Sequence, residues 1–472
     1  MKTNNVLKLL DQPRALYLLF FVQMWESFSY YGMRAILVLY LVSGLGLSDA
    51  EAVGIYAVST ALSEGFGVFG GRLADKIFGL RYSIYLGGII IACGHVVLSL
   101  PGDILNVYLS MALIAIGTGL LRTNATALLG EFYAKDDLRR DAGYTLFYVG
   151  LNLGAFLATI AVAFTAEAYG WHYGFSLAAF GMALGLLGLL KFNYILEDKG
   201  RKPGNVSKKK AMAYTGFMFL LAPALALMIY NHEVTLYLLV VAIIVMISSV
   251  LYSARTLTKL EKRNINSVLI AVMLLAIFFG FEEQIGSTLV LFAERFSDKI
   301  LLGMQIPVAS LTTINPMVVL LLGPVVAILL ELYELKIKKA VSLYAKISLA
   351  FFLQALAFTM LYTLSKSSDL VSANFIGLSF GMIAFSELFI GPAVYSHCSK
   401  YSPKHMKGVL MGTVMMGYAL ANIISGFLAK YMAIDESNTD LGISVYSEGF
   451  LKILLVCFIA SCILWVVRKK DV

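Results

Sequence analysis

Glu26 and Arg34 sit in a stretch otherwise apolar enough for lipid. Gln23, Glu26, Tyr30 and Arg34 follow one another at spacings of three, four and four, which puts them in one stripe of a helix. An ionisable side chain inside a bilayer is expensive and marks a cavity, a partner or a pathway. A lone polar residue can be hydrogen-bond glue between helices, whereas four in register point to a polar cavity. Glu64, Arg122, Asn152, Glu282, Glu283, Asn315 and Glu387 are further polar residues of this kind, and Tyr144, Tyr148 and Asn152 repeat at intervals of four. Carboxyl groups in such a place can carry a proton, and guanidinium groups can grip a carboxylate through two N–H bonds. No nucleophile–base pair, metal-ligand cluster or phosphate loop accompanies them, so the chemistry is binding and proton movement without enzyme catalysis, metal or cofactor. His95, in an apolar run, reads as a structural histidine with its ring satisfied.

The elements that position these groups follow from composition. Of 472 residues, 59% are apolar and 14% charged, and the mean hydropathy is +0.81. Soluble domains run at roughly 45–50% apolar and about 25% charged, so an ordinary soluble enzyme, a disordered chain and a nucleic-acid module are excluded. Four cysteines, Cys93, Cys398, Cys457 and Cys462, lack metal-ligand spacing. A span needs about 20 mostly apolar residues. Such stretches centre near Val38, Val58, Gly88, Leu113, Phe156, Leu184, Leu220, Val240, Leu275, Leu320, Phe352, Leu378, Met416 and Phe458, fourteen in all. The first starts near Ala15 and is too long and too charged for a signal peptide.

The net charge of +8 is a matter of topology. With the N-terminus inside, the inside loops carry Arg72, Lys76 and Arg81; Lys135, Arg139 and Arg140; the lysines from Lys199 to Lys210; and Arg255, Lys259, Lys262 and Arg263. The same side continues with Lys336, Lys338 and Lys339; Lys400, Lys404 and Lys407; and Arg468, Lys469 and Lys470. Outside fall only a few, such as Arg295, Lys299 and Lys366. Positive charge gathers on the cytoplasmic side, so both termini are expected there, in a bacterial-type inner membrane. The basic linker at 196–210 is followed by two apolar stretches with almost no charge, which gives a six, two, six organisation. The expected fold is an all-α polytopic membrane protein. Residues 1–195 form an N-terminal six-helix bundle, 196–263 a linker and inserted peripheral hairpin, and 264–472 a C-terminal six-helix bundle. Breakers fall before Phe281-Glu282-Glu283-Gln284, at Gly280, and at Asn315-Pro316, which is expected to interrupt the eighth helix and to serve gating.

Gly71-Arg72-Leu73-Ala74-Asp75-Lys76 followed by Gly79-Leu80-Arg81 resembles the signature loop of the major facilitator superfamily. That resemblance implies that Asp75 faces a helix N-terminus and an arginine, clamping the two halves in an outward-facing state. Over nearly the whole chain the residues resemble a narrower group, the proton-dependent oligopeptide transporter (POT) family. Gln23, Glu26, Ser27, Phe28, Tyr30, Tyr31 and Gly32 resemble its helix 1 motif E-x-x-E-R-F-x-Y-Y-G. Phe147-Tyr148, Asn152, Gly154, Gly170-Trp171 and Gly174-Phe175 resemble its helix 5–6 motif; Glu283-Gln284 with Gly286-Ser287-Thr288-Leu289, its helix 7. Asn315-Pro316, Glu387-Leu388 with Gly391-Pro392, and Met411-Gly412 resemble helices 8, 10 and 11.

The resemblance implies a major facilitator fold of fourteen spans and proton-coupled import of di- and tripeptides by alternating access, in a monomer whose partners are substrate, protons and lipid, not nucleic acid. It implies that Arg34 and Arg122, the latter in place of the family's lysine, receive the peptide carboxylate. Asn152, Asn315 and Glu387 would receive the amino end, Tyr30, Tyr31 and Tyr148 would line the pocket, and Glu26 and Glu283 would carry the coupling proton. The chain departs from the family at Gln23 and Ser27, which break the helix 1 charge trio, and at Glu64, Thr312, Thr123 and Val414, where the family has a pocket tyrosine, often glutamine, proline and tryptophan. A buried carboxylate without a cation is costly. Glu64 is therefore expected to find either an internal arginine or a cationic group of the ligand, and the small residue at Val414 favours the ligand. The alternative activities are transport of a non-peptide, possibly cationic metabolite, and exchange or export.

Overall fold

The computed structural model describes residues 12–134, 137, 139–201, 206–366, 370–403, 406–434 and 442–468. Lys135, Lys404, Lys469, Lys470 and the Lys202-Pro203-Gly204 run of the linker lie outside them, as do the chain ends. The helices are α1 Arg14–Leu39, α2 Asp49–Leu73, α3 Leu80–Ser99, α4 Ile104–Gly130, α5 Arg140–Tyr169, α6 Trp171–Lys191, α7 Lys208–Tyr230 and α8 His232–Ser253. They continue with α9 Lys259–Glu282, α10 Thr288–Phe296, α11 Ile314–Ile337, α12 Leu343–Leu364, α13 Ala373–Tyr401, α14 Lys407–Tyr431 and α15 Gly442–Val467. Two short strands, β1 Ile300–Leu301 and β2 Met304–Gln305, pair antiparallel. Among the described residues, thirteen helical segments are long and apolar enough to cross a membrane. The fourteenth span, α1, has 26 residues, and its polar stripe is what lowers its hydropathy.

Local chemistry sets the helix ends. Asp103 accepts from Leu105 N at 3.0 Å ahead of α4. Thr258 and Glu261 form a capping box at α9, each satisfying a backbone N–H that has no partner within the helix. The break in the seventh span comes where the Gly280 and Glu282-Glu283 run predicts it: α9 gives way to a 3₁₀ turn, Glu283–Gly286, before α10. Backbone groups freed by a break must be satisfied by other protein groups. Gln284 Nε2 donates to Gly280 O at 3.1 Å and to Ser425 O at 3.2 Å, and Gln354 Nε2 donates to Phe278 O at 3.1 Å.

One expectation is corrected here. Asn315-Pro316 does not interrupt a helix: a 3₁₀ segment, Val308–Thr313, leads directly into α11, whose first turn contains both residues. A proline there removes only an N–H that has no helical partner. The loop of Asp75 has its own local geometry. The chain leaves α2 through a π-helical turn, Ala74–Phe78, to Gly79 at φ 77°, and Arg72, Asp75 and Lys76 are exposed on this turn. Among the described residues Asp75 has no ion-pair partner. Arg81 ties this loop to the segment after α6. Its Nη2 donates to Glu197 O at 2.6 Å and its backbone N to Gly200 O at 2.9 Å, while Gly200 N donates to Glu131 Oε2 at 2.8 Å.

The chain divides into two compact units. The first holds the described residues of Met1–Leu37 and Leu62–Asn231, the second Val38–Ala61 and those of His232–Val472. In the first, α3 packs on α4 and α6, α5 on α6, and α7 on α4, around a core that includes Leu16, Leu19, Ile84, Leu121, Met182 and Leu189. In the second, α12 packs on α13 and α15, α9 on α13 and α14, α11 on α13, and α8 on α14. The two helices after the linker therefore belong to different units, and each is mostly exposed.

Candidate functional site

In the first unit, α2 and α4 touch backbone to backbone. A Cβ on Gly70 would lie 2.3 Å from Gly119 O, and one on Gly119 would lie 2.6 Å from Phe66 C. Only glycine allows this approach, and it brings Glu64 of α2 into reach of Arg122 of α4, one turn beyond Gly119. Arg122 Nη1 donates to Glu64 Oε1 at 3.3 Å, and Nη2 donates to Glu26 Oε1 of α1 at 3.0 Å. The Glu26 side chain is sealed at 0% exposure, whereas Arg122 and Glu64 retain 19% and 24%.

The departures from the helix 1 motif form the cradle of Glu26. Gln23 Nε2 donates to Glu26 Oε2 at 2.6 Å and lies 3.3 Å from Ser27 Oγ. The Arg122 guanidinium stands 4.7 Å from the centre of the Tyr30 ring, and that of Arg34 is 5.5 Å from Tyr30 and 5.6 Å from Tyr31. A cation over an aromatic face at such distances is attracted by the ring quadrupole. Glu26, Tyr30, Tyr31, Arg34, Glu64 and Arg122 thus form one cluster, with two carboxylates balancing two guanidinium groups.

Glu64 therefore has an internal counter-charge, Arg122, where the sequence favoured a cation on the ligand. The other ground for that expectation also fails, because Val414 is fully buried in packing and opens no space. On α5, Asn152 is buried and turns its amide donor back to Tyr148 O at 3.1 Å, and the Tyr148 side chain on the same face is exposed. His95 is buried, and among the described residues neither ring nitrogen has a hydrogen-bond partner, where the sequence led to a satisfied histidine.

In the second unit, Asn315 Nδ2 donates to Glu282 Oε1 at 2.9 Å and lies 3.3 Å from Glu387 Oε2. One amide thus stands between two carboxylates, from α9 and α13. Asn315 and Glu387 come together as expected. Glu282 joins them, and Glu283, which opens the 3₁₀ turn half-buried, is within electrostatic range of Glu387.

Sequence reasoning missed a second polar junction in this unit. Arg295 grips Asp49 with two bonds, Nη1 to Oδ2 at 2.5 Å and Nη2 to Oδ1 at 2.6 Å. Its Nη1 also donates to Tyr446 OH at 3.2 Å, and Ile434 N donates to Asp49 Oδ2 at 3.2 Å. Asp49 opens α2, where it reads as an ordinary acid in a first turn, and Arg295 was counted only as a loop charge.

Comparison with known proteins places this geometry among transporters. A profile described as the POT family matches residues 81–443. The chain is 31% identical over 460 residues to dipeptide and tripeptide permease A of Proteus mirabilis (strain HI4320), covering 94% of this chain and 92% of that one. It is 29% identical over 467 residues to the permease of the same name from Pectobacterium carotovorum subsp. carotovorum (strain PC1), covering 97% and 92%. A crystal structure of a POT peptide transporter in complex with sulfate superposes with a TM-score of 0.85 at 31% identity, over 97% of this chain and 95% of that one. A POT family transporter in complex with 5-aminolevulinic acid gives 0.84 at 30%, over 97% of each.

Proposed function

This chain belongs to the POT family, a family of transporters with the major facilitator fold, and from that premise we propose that it imports di- and tripeptides together with protons by alternating access. The observation that carries this reading is the guanidinium cluster of the first unit, where Arg34 and Arg122 both stand over the Tyr30 ring. The first unit offers guanidinium groups, Arg34 and Arg122, and the second offers carboxylates and an amide, Glu282, Glu387 and Asn315. A peptide carboxylate suits the guanidinium groups of the first unit, where Asn152 is a further proposed substrate ligand; within the second unit, Glu387 and the Asn315 carbonyl suit an ammonium. Tyr30, Tyr31 and Tyr148 offer ring faces in the first unit.

Glu26 and Glu283 are the proposed carriers of the coupling proton. One charge moving across about 100 mV gains roughly 2.3 kcal/mol, which is enough to drive accumulation. We assign residues 1–195 and 264–472 to the two bundles and 196–263 to an insert, with both termini cytoplasmic and the protein a monomer in an inner membrane. Uptake of radiolabelled L-alanyl-L-alanine into proteoliposomes under an inward acid gradient tests the reading. Accumulation above the external concentration supports it, and uptake no faster than into empty liposomes refutes it.

A second reading, transport of a small non-peptide zwitterion, draws on the 5-aminolevulinic acid bound to one structural relative. Its distinguishing outcome is accumulation of that amino acid without accumulation of dipeptides.

A further inference from the structure

We propose that the β1–β2 hairpin is a membrane anchor, with its apolar tip, Ile300, Leu302 and Met304, seated in the interfacial layer of the lipid leaflet at the end of the spans where α13 begins. On the topology proposed above this is the outer leaflet. The inference goes beyond peptide import and stands or falls without it.

The tip is built against the usual chemistry of a loop. Leu302 is 81% exposed, Met304 63% and Ile300 44%. Pairing of Leu301 with Met304 leaves two residues in the turn, Leu302 at φ 51° and Gly303 at φ 81°. A two-residue turn with both φ values positive favours Asn-Gly, whose first side chain tolerates the left-handed backbone and meets water well. A leucine there carries the backbone cost and adds bare hydrocarbon at the tip. Exposed apolar side chains gathered in one place mark a contact with lipid or with protein.

Two side chains fix where the tip stands. Asn374, in the first turn of α13, accepts from Leu302 N at 2.8 Å through Oδ1 and donates through Nδ2 to Ile300 O at 3.3 Å. Asp298 Oδ1 accepts from Ile300 N at 3.0 Å and from Ala373 N at 2.8 Å. Leu301 packs over Gly377, where a Cβ would lie 3.5 Å from its Cδ1. The hairpin is therefore held at the level where α13 enters the bilayer. Phe375 and Leu378, on the flank of that helix end, are exposed, and so is Leu370 just before it, so the apolar surface of the span runs on into the hairpin. On α12, which packs on α13, Lys366 Nζ stands 5.3 Å from the centre of the Tyr362 ring at the corresponding end. A tyrosine with a lysine at a helix end marks the headgroup layer.

Lipid fits this surface better than protein does. The side chains of one loop tip fall far short of the roughly 800 Å² per partner that a stable protein interface buries. The boundary between headgroups and acyl chains takes up small apolar surfaces lying in its plane, and here it is already in contact with the adjoining span.

Spin labelling of the full-length protein in nanodiscs of phosphatidylglycerol and phosphatidylcholine tests this. The exposed Cys93 and Cys462 are first replaced by serine. A nitroxide is then placed at Leu302→Cys, with Leu378→Cys as the lipid reference and Asp198→Cys, on the exposed linker, as the water reference. Oxygen concentrates in the apolar layer and a nickel chelate in water, so the oxygen-to-nickel accessibility ratio at Leu302 is expected to lie about threefold or more above that at Asp198. A ratio equal to that at Asp198 overturns the proposal. So does dipolar broadening at Leu302 that disappears on dilution with unlabelled protein, the sign of a second copy on the tip. Should Leu302→Cys not fold, photolabelling of the unaltered protein with a lipid-soluble diazirine decides: label on residues 300–304 together with Phe375 is expected, and label on Phe375 without them overturns the proposal.

Discussion

Glu26 and Arg122 meet on a sealed face of the first unit, 3.0 Å apart, with the acid fully buried and the base partly open. An ion pair of this kind contributes little over an apolar pair of the same size, but removing one partner leaves a buried charge uncompensated, at about 3–5 kcal/mol.

Arg122→Gln is therefore expected to lower the thermal midpoint of the purified protein by much more than Glu64→Gln, because it strands the sealed Glu26. The double variant Arg122→Gln with Glu26→Gln should recover most of the loss. Scanning fluorimetry in detergent checks this; a double variant no more stable than Arg122→Gln alone contradicts it.

Glu283→Gln is expected to abolish gradient-driven accumulation of dipeptide while sparing exchange of labelled for unlabelled peptide, since only net transport needs the proton to be released inside and the carrier to return empty. Counterflow and accumulation assays on the same proteoliposomes separate the two. Undiminished accumulation in both Glu283→Gln and Glu26→Gln removes the assignment.

The amide of Asn315 keeps Glu282 and Glu387 apart and bonded. Asn315→Leu exposes two carboxylates to each other without a donor, and dipeptide affinity is expected to fall by about tenfold, the scale of a lost hydrogen bond to a charged group. Glu282→Gln placed in that background restores a donor beside Glu387 and should recover part of the affinity. No recovery would mean that Asn315 acts by shape alone.

Asp49→Asn breaks a two-bond grip that also engages Tyr446 and the backbone of Ile434. Arg295 is 30% exposed on its side chain and Asp49 is 3%, so part of the loss is screened by solvent, and a destabilisation of about 1–3 kcal/mol is expected. Urea or thermal unfolding of the two proteins measures it; a change under about 0.5 kcal/mol would show the pair to be idle.

The sequence carried the spans because bilayer thickness writes itself into composition, and it carried the polar residues because lipid makes each of them conspicuous. It placed Glu26, Tyr30 and Arg34 on one helix face by spacing alone. What it could not carry was pairing across helices. Glu64 finds Arg122 only because Gly70 and Gly119 let two backbones touch, a contact that no spacing within either helix encodes. Glu282 meets Asn315 beside a helix break, and no spacing within α9 encodes that partner across helices. Asp49 and Arg295 are 246 residues apart in the chain and carried no mark of each other. Pro316 misled as a breaker, since its effect depends on whether it falls in a first turn or an interior one.

The most direct measurement is the pH inside sealed proteoliposomes, followed with a trapped dye as L-alanyl-L-alanine is added outside under an interior-negative potential. The account predicts that the lumen acidifies on adding the dipeptide, with an initial rate that saturates with peptide and is lost in Glu283→Gln. Dipeptide entry at the same rate with no acidification would contradict it.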